Sequence, residues 1–290
     1  METHPGLNHK FKFMNTKNLS LIFALLCITS LFSCKKNTDT TEFDNTFDLT
    51  SKQAISDNLT EDDNNVLDET VETLGLSGAK EPLICNGTTS CAQVTVSAGG
   101  FPKTITLDFG TTGCSNPNSG VVRRGIINIV LSDSLRRPGS TAVMTFNNYY
   151  VNGYKRDGTV TWTNTSTAGT RSWRREVTNG QITSPTGAVW YHSGVKNITQ
   201  VAGTSTPRNL LDDAFSITGS GQTTNSSGVT RQHTIIIPLH KQVICDYIDQ
   251  GSIQIQGPNH TATLDFGNGT CDNIATITVD NYPTRTITLP

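Results

Sequence analysis

From about Cys91 to the end of the chain, apolar and polar residues alternate in short runs. They read "QVTV", "TITLDF", "IINIVL", "AVMTF", "TVTWTN", "FSIT", "HTIIIPL", "SIQIQ", "TATLDF", "ATITV" and "TRTITL". The runs are rich in Thr, Val and Ile, and "VNGYKRDG", "TNGQ", "SPTG", "NSSG", "QGPN" and "DNYP" stand between them. A period of two with β-branched residues, interrupted by Gly, Asn and Pro, predicts antiparallel strands joined by turns. About a dozen strands over residues 85–290 predict a single all-β domain. Its expected form is an antiparallel meander, either a curved sheet or a two-layer sandwich.

Before this domain the period changes. Ile55, Leu59, Val66, Leu67, Val71 and Leu74 recur at helical spacing with acids between them. A short amphipathic helical segment over 53–78 is expected, stopped by Gly75 and Gly78. Residues 34–52 read as an acidic tether. The net charge of −2 hides a division: residues 37–79 hold eleven acids and one base, Lys52, whereas 81–290 hold twelve acids and fifteen bases. The first segment is expected to carry a solvated acidic face. Its "DDNN" lacks the glycine of an EF-hand loop, so calcium is not predicted there. No stripe is basic enough for nucleic acid.

The first 33 residues set the compartment. From Met14, which opens a complete signal, a polar start with Lys17 leads to a 13-residue apolar run, Leu19 to Leu31. A spanning helix needs about 20 residues, so this is an export signal. Its ending, "LFSC", resembles a bacterial lipobox, which implies acylation of Cys34. More than one acyl chain holds a protein stably on a membrane. Lys35, where an aspartate would favour inner-membrane retention, implies the outer membrane by the same resemblance. The partners expected are the membrane through this anchor and a glycan or envelope protein.

Two segments repeat: "TITLDFGTTGC" (104–114) and "TATLDFGNGTC" (261–271). Kinases use a DFG aspartate for magnesium, yet the glycine-rich loop and HRD segment of that machinery are absent from the sequence. The architectural reading is sharper. Pairing Ile255 with Thr261 across "QGPNH" sets Cys245 opposite Cys271, at a spacing a disulfide bridges. Asp108 and Asp265 are then expected to accept backbone or hydroxyl hydrogen bonds near a strand end. Pairing Val96 with Thr104 in the first copy sets Cys85 almost opposite Cys114.

The stretch "CAQVTVSAGGFPKTITLDFGTTGCSNPNSGVVRRGIINIVL", with "TFNNYYVNGYKRDGTVTWTN" and "ICDYIDQGSIQIQ…LDFGNGTCDN", resembles a group of β-rich bacterial lipoproteins without an established activity. The resemblance spans Cys91 to Pro290 and implies fold and compartment only. A cysteine stands in that group where Cys91 does, which implies Cys91–Cys114 and leaves Cys85 spare. "RRGIIN" departs from the group, which carries another basic residue after the glycine.

Candidate chemistry is sparse. His192, His233, His240 and His260 form no HExxH or close pair, and no GxSxG elbow is present, so neither metal, cofactor nor catalytic residues are predicted. The middle of the chain is richer, with Phe146, Tyr149, Tyr150, Tyr154, Trp162, Trp173, Trp190 and Tyr191 beside Arg171, Arg174 and Arg175. Trp162 shares a face with Val160 and reads as core. Tyr149, Tyr150, Trp173, Arg174 and Arg175 are the candidate ligand face, for polysaccharide or lipid phosphate. The function expected is therefore a non-enzymatic envelope lipoprotein, ligand-binding or structural. Two alternatives stand beside it. One is a carbohydrate hydrolase using two of Asp108, Asp212, Asp213 and Asp265, which needs paired carboxyls in a cleft. The other is a lipid carrier with an apolar concave sheet.

Overall fold

A computed structural model describes Met1 and residues 34–78, 87–167 and 169–290, with the helix backbone alone for 34–38. The segment read as an export signal, its expected start at Met14, the side chain of Cys34 and Cys85 lie outside the described residues. The chain divides into two compact units, Met1–Glu42 and Phe43–Pro290. Of the first, the helical turns up to Glu42 are described, and the described side chains there are mostly exposed. The second unit holds the rest of the helix and every described strand.

Among the described residues one α-helix, α1 (Cys34–Thr73), precedes fourteen strands. These are β1 (Gln93–Val96), β2 (Lys103–Asp108), β3 (Cys114–Ser115), β4 (Val122–Leu131) and β5 (Thr141–Val151). Then come β6 (Tyr154–Asn164), β7 (Ser172–Thr183), β8 (Val189–Ala202), β9 (Ala214–Asn225) and β10 (Thr230–Gln242). The last four are β11 (Gln250–Gln256), β12 (Thr261–Asn268), β13 (Ile274–Val279) and β14 (Arg285–Thr288). They form a single antiparallel sheet in sequence order, with β3 added beside β4. The sheet is open, with β1 and β14 at its ends, and the meander expected from the alternation is present.

The helix departs from expectation in length and setting. The stretch read as a tether, 34–52, is continuous helix with 53–73. From Leu49 to Glu72 none of its residues is exposed. Leu49, Ala54, Leu59, Val66, Leu67 and Val71 are in the core, and Asp57, Glu61, Asp63, Glu69 and Glu72 are buried as well. The acidic face is not solvated, because bases on the strands meet it. The helix ends as the glycines predicted. Gly75 takes φ 66°, the Gly75 N–H donates to Glu72 O and the Leu76 N–H to Val71 O at 2.8 Å. That is a Schellman close, in which glycine carries the left-handed residue.

Partners of the helix come from strands far apart in the sheet. Asp62 pairs with Arg123 of β4, Asp63 with Arg156 of β6, Glu61 with Arg175 of β7, and Asp57 with Lys196 of β8. Thr223 of β9 donates to Gln53, and Arg231 of β10 to Thr46. The Arg285 guanidinium of β14 lies 4.9 Å from the ring centroid of Phe47. The sheet therefore curls around the helix, and its concave face is occupied by helix side chains.

A flat sheet could not do this. Gly125, Asn148, Gly158, Asn179 and Gly251, one each in β4, β5, β6, β7 and β11, all take positive φ. Register breaks at each of these positions. A Cβ on Gly158 would stand 2.6 Å from the Asn179 carbonyl oxygen, so the neighbouring backbones need the glycine. Bulges bend a strand and increase its twist, and a row of them makes a crease across the sheet. "TNGQ" and the end of "VNGYKRDG", read as turns, are two of these bulges. The actual β5–β6 turn is Asn152-Gly153, a two-residue hairpin with φ of 48° and 81°.

Both disulfides are present. Cys91–Cys114 has a Cα separation of 6.0 Å and Cys245–Cys271 one of 5.6 Å. The register differs from expectation by one residue in each hairpin: Gln256 faces Thr261, and Val96 faces Ile105. The "GPNH" loop closes on a Gly257 N–H to His260 O bond of 2.9 Å, which shortens the turn by one residue. A bulge between Gln250 and Ser252 widens the offset before the cysteines, and the disulfide closes outside the ladder.

Candidate functional site

The repeated segments prove to be turn architecture. Asp108 Oδ1 accepts from the Gly110 N–H at 2.8 Å, and Asp265 Oδ1 from the Gly267 N–H at 2.8 Å. Asp265 Oδ2 also accepts from Ser252 Oγ at 2.7 Å. Leu107, Phe109, Leu264 and Phe266 point into the core. Each carboxylate thus helps to hold the strand end.

The five residues of the candidate ligand face do not share a face. Tyr149, Trp173 and Arg175 are buried. Tyr150 and Arg174 are half-buried on the other side, where Arg124 lies over the Tyr150 ring at 3.4 Å and Arg174 pairs with Glu176 at 2.7 Å. Strand alternation explains the split, and the helix explains what the inward members do. Glu61 grips Arg175 with both oxygens, the Nη1 contact being 3.0 Å. Trp162 Nε1 donates to Asn64 at 3.0 Å and Trp190 Nε1 to Ser56 at 2.9 Å. "DDNN" is therefore a buried docking surface. Burial outweighs Arg156 at Asp63 and pushes its carboxyl up to about 7.

Near the end of the helix the pairing is incomplete. An inner cavity of about 20 Å³, room for roughly one water, is lined by Asp68, Glu72, Arg171, Trp173, Gln200 and Asp213. Outside it opens a cleft of about 410 Å³ lined by Arg136, Pro138, Asn164, Arg171, Trp173 and Thr204, among others. Arg171 and Trp173 border both spaces. Arg136 is held by Glu72 and by the Pro207 carbonyl, and Arg208 stands 3.6 Å from Glu72. The Arg171 guanidinium has no hydrogen bond or ion pair among the described residues. The Trp173 indole N–H and Gln200 Oε1 are buried and without partners.

The electrostatics follow from that geometry. Burial pushes the Asp68 carboxyl up to about 7, and Asp213 and Glu72 add to the rise against Arg136 and Arg171. Burial likewise lifts Asp213 to about 7, with Arg171 opposing and Asp212 adding, while Gln200 donates to Asp213 Oδ1 at 2.7 Å. Burial and then Arg136 lower Arg171. Gly203 (φ 75°) leaves the room that the Asp213 carboxylate occupies. Of the four acids proposed for hydrolysis, only Asp213 meets another carboxyl in this cavity, and that partner, Asp68, was not among them. The sequence offered one signal for it: its place in the acidic helix. Arg171 and Trp173 were visible in the aromatic and arginine-rich middle.

A second small cavity, also about 20 Å³, lies among Gln53, Asp57, Thr60, His192, Lys196 and His233. Burial pushes His192 down to about 3 and His233 to about 4, so both are neutral at pH 7. His192 Nε2, His233 Nδ1 and Asp57 Oδ2 have no protein partner, and the space suits a bridging water. Among the described residues no group of His, Cys, Asp or Glu could hold a metal, and no helix is long and apolar enough to cross a membrane. No family model, curated protein or solved structure matches this chain.

Proposed function

We propose that the chain is an envelope lipoprotein, anchored through acylated Cys34 on the outer membrane, whose β domain binds a ligand without transforming it. The reading is carried by one conjunction: an export segment closing on "LFSC" and, after it, a domain stapled by two disulfides. Disulfides persist outside the reducing cytoplasm. Eight residues lie between Cys34 and Phe43, a reach of about 30 Å even if extended, so the anchor would keep the domain near the bilayer. The open cleft at Arg171 supports binding, while the acids behind it face a space too small for a sugar ring, which counts against hydrolysis. The helix in the sheet's concavity counts against a lipid carrier.

Growth of a Gram-negative host expressing the full chain with labelled palmitate tests the anchor. Label is expected in the wild type and absent in Cys34→Ser, with the labelled protein in the outer-membrane fraction. Unlabelled wild-type protein with free thiols in the cytosol would refute the proposal.

A further inference from the structure

The geometry points to the cleft at Arg171 and Trp173 as a binding site for a monoanionic saccharide, a sugar carrying one carboxylate. The inference rests on the reading of the β domain as a binding domain and names its ligand class. Three observations support it. First, a guanidinium without a partner borders an open cleft of about 410 Å³, within the range of small-molecule sites. Arginine presents a planar fork that matches a carboxylate with two parallel hydrogen bonds. Second, Trp173 stands on the same wall, and its buried indole N–H has no partner among the described residues. A buried donor left unsatisfied is costly, and a ligand oxygen reached directly or through one water would satisfy it. Third, the rest of the wall mixes Pro138 and the indole with Asn164, Thr204 and other small polar residues. Such a wall suits a ring with one apolar side and many hydroxyls.

Charge count selects one negative charge. Arg136 is already neutralised by Glu72, which leaves Arg171 as the cation not held in an ion pair on this wall. Asp68, Glu72 and Asp213 stand directly behind it. A dianion such as phosphate would face those acids with only one unpaired cation to offset them. A carboxylate on a sugar ring places one charge at Arg171 and directs its hydroxyls to the polar wall.

The test is calorimetric titration of the full-length protein in detergent with glucuronate, glucose and inorganic phosphate in separate arms. Glucuronate is expected to bind, with glucose and phosphate at least tenfold weaker. Arg171→Gln should weaken glucuronate about ten- to a hundredfold, the loss of a charge-assisted hydrogen-bonded contact. Trp173→Phe keeps a smaller aromatic face, removes the N–H and should weaken binding several-fold. An unchanged melting curve for Arg171→Gln separates loss of the site from loss of the fold. Equal binding of phosphate, or glucuronate binding that survives Arg171→Gln, overturns the inference. Binding of glucose but not glucuronate overturns it while leaving the binding reading intact. Silence in every arm, extended to a glycan array, removes both.

Discussion

Arg175 and Arg171 stand four residues apart at one end of β7, and the protein treats them oppositely. Arg175 is buried beneath the sheet and clasped by both oxygens of Glu61. Arg171 is half-buried and holds nothing among the described residues. Trp162 and Trp190 donate to helix side chains, whereas Trp173, between the two arginines, does not. The difference lies in how the helix carboxylates are shared. At Glu61 the helix supplies a carboxylate to Arg175 alone. In the last turns Asp68 and Glu72 stand behind Arg171, but Glu72 is taken by Arg136 and Arg208 and Asp68 accepts from Asn64, so Arg171 borders the cleft without an ion pair. Where a helix carboxylate is given to one arginine, that arginine is architecture; where the carboxylates are taken by other groups, an arginine is available to a ligand.

The largest test of that contrast breaks the architectural side. Arg175→Ala leaves Glu61 buried without its cation, and removal of one partner from a buried pair costs about 3–5 kcal/mol. Urea denaturation should register that loss. The double variant Glu61→Leu with Arg175→Met should recover most of it, because apolar residues of similar volume replace buried pairs at little cost. A single variant that loses less than about 1 kcal/mol, the level of an exposed pair, would mean that Arg175 is no more structural than Arg171.

A smaller effect sharpens the contrast through pH. Asp68 has a folded pKa raised to about 7 from an ordinary value of 3.8. The folded state therefore binds its proton more tightly than the unfolded state, and stability falls as pH rises from about 4 to 7. The slope is at most about 1.4 kcal/mol per pH unit for one group. Asp68→Asn removes that slope, so its advantage over wild type should grow between pH 5 and 7 and level off above. His192 and His233 act with the opposite sign. Their depressed pKa values give stability that is complete above about 6.5 and lost as pH falls toward 4. In the wild type the two slopes oppose each other, which is why the variant is the informative comparison. Equal stability differences at pH 5 and pH 8 would show that Asp68 is not the strained acid of the cavity.

Much of the sheet was legible because alternation is local: between the bulges, inward residues such as Ile105, Leu107, Ile127, Ile129 and Leu264 follow from their neighbours two positions away. The turn carboxylates Asp108 and Asp265 were legible for the same reason, since each binds an amide two residues on. The crease was not, because Asn-Gly is the commonest hairpin signal and nothing local distinguishes Asn152-Gly153, a turn, from Asn179-Gly180, a bulge. The helix was misjudged for a related reason. Eleven acids in one segment look solvated until Arg123, Arg136, Arg156, Arg175 and Lys196 of the next are placed opposite Asp62, Glu72, Asp63, Glu61 and Asp57. Each charge imbalance is a half of one interface, and the two halves are about a hundred residues apart in pairs such as Glu61–Arg175. The cavity pair Asp68 and Asp213 is still more distant and has no motif.

The smallest expected change is the most discriminating. Arg171→Gln alters a guanidinium that no described residue holds, so its stability should stay within about 0.5 kcal/mol of wild type. Removing a cation that burial and Arg136 both disfavour could even raise stability slightly. The opposing influence is Asp213, whose carboxyl Arg171 draws down. Without that cation Asp213 should rise further, so the variant should lose stability more steeply between pH 6 and 8 than wild type, by linkage of the same sign as Asp68. Denaturation midpoints of Arg171→Gln and Arg175→Gln, measured together at pH 6, decide the matter. A near-wild-type value for the first and a collapse for the second separates the two arginines by energy as the structure separates them by contact. Two equal losses would make Arg171 a structural residue and return the cleft to ordinary surface.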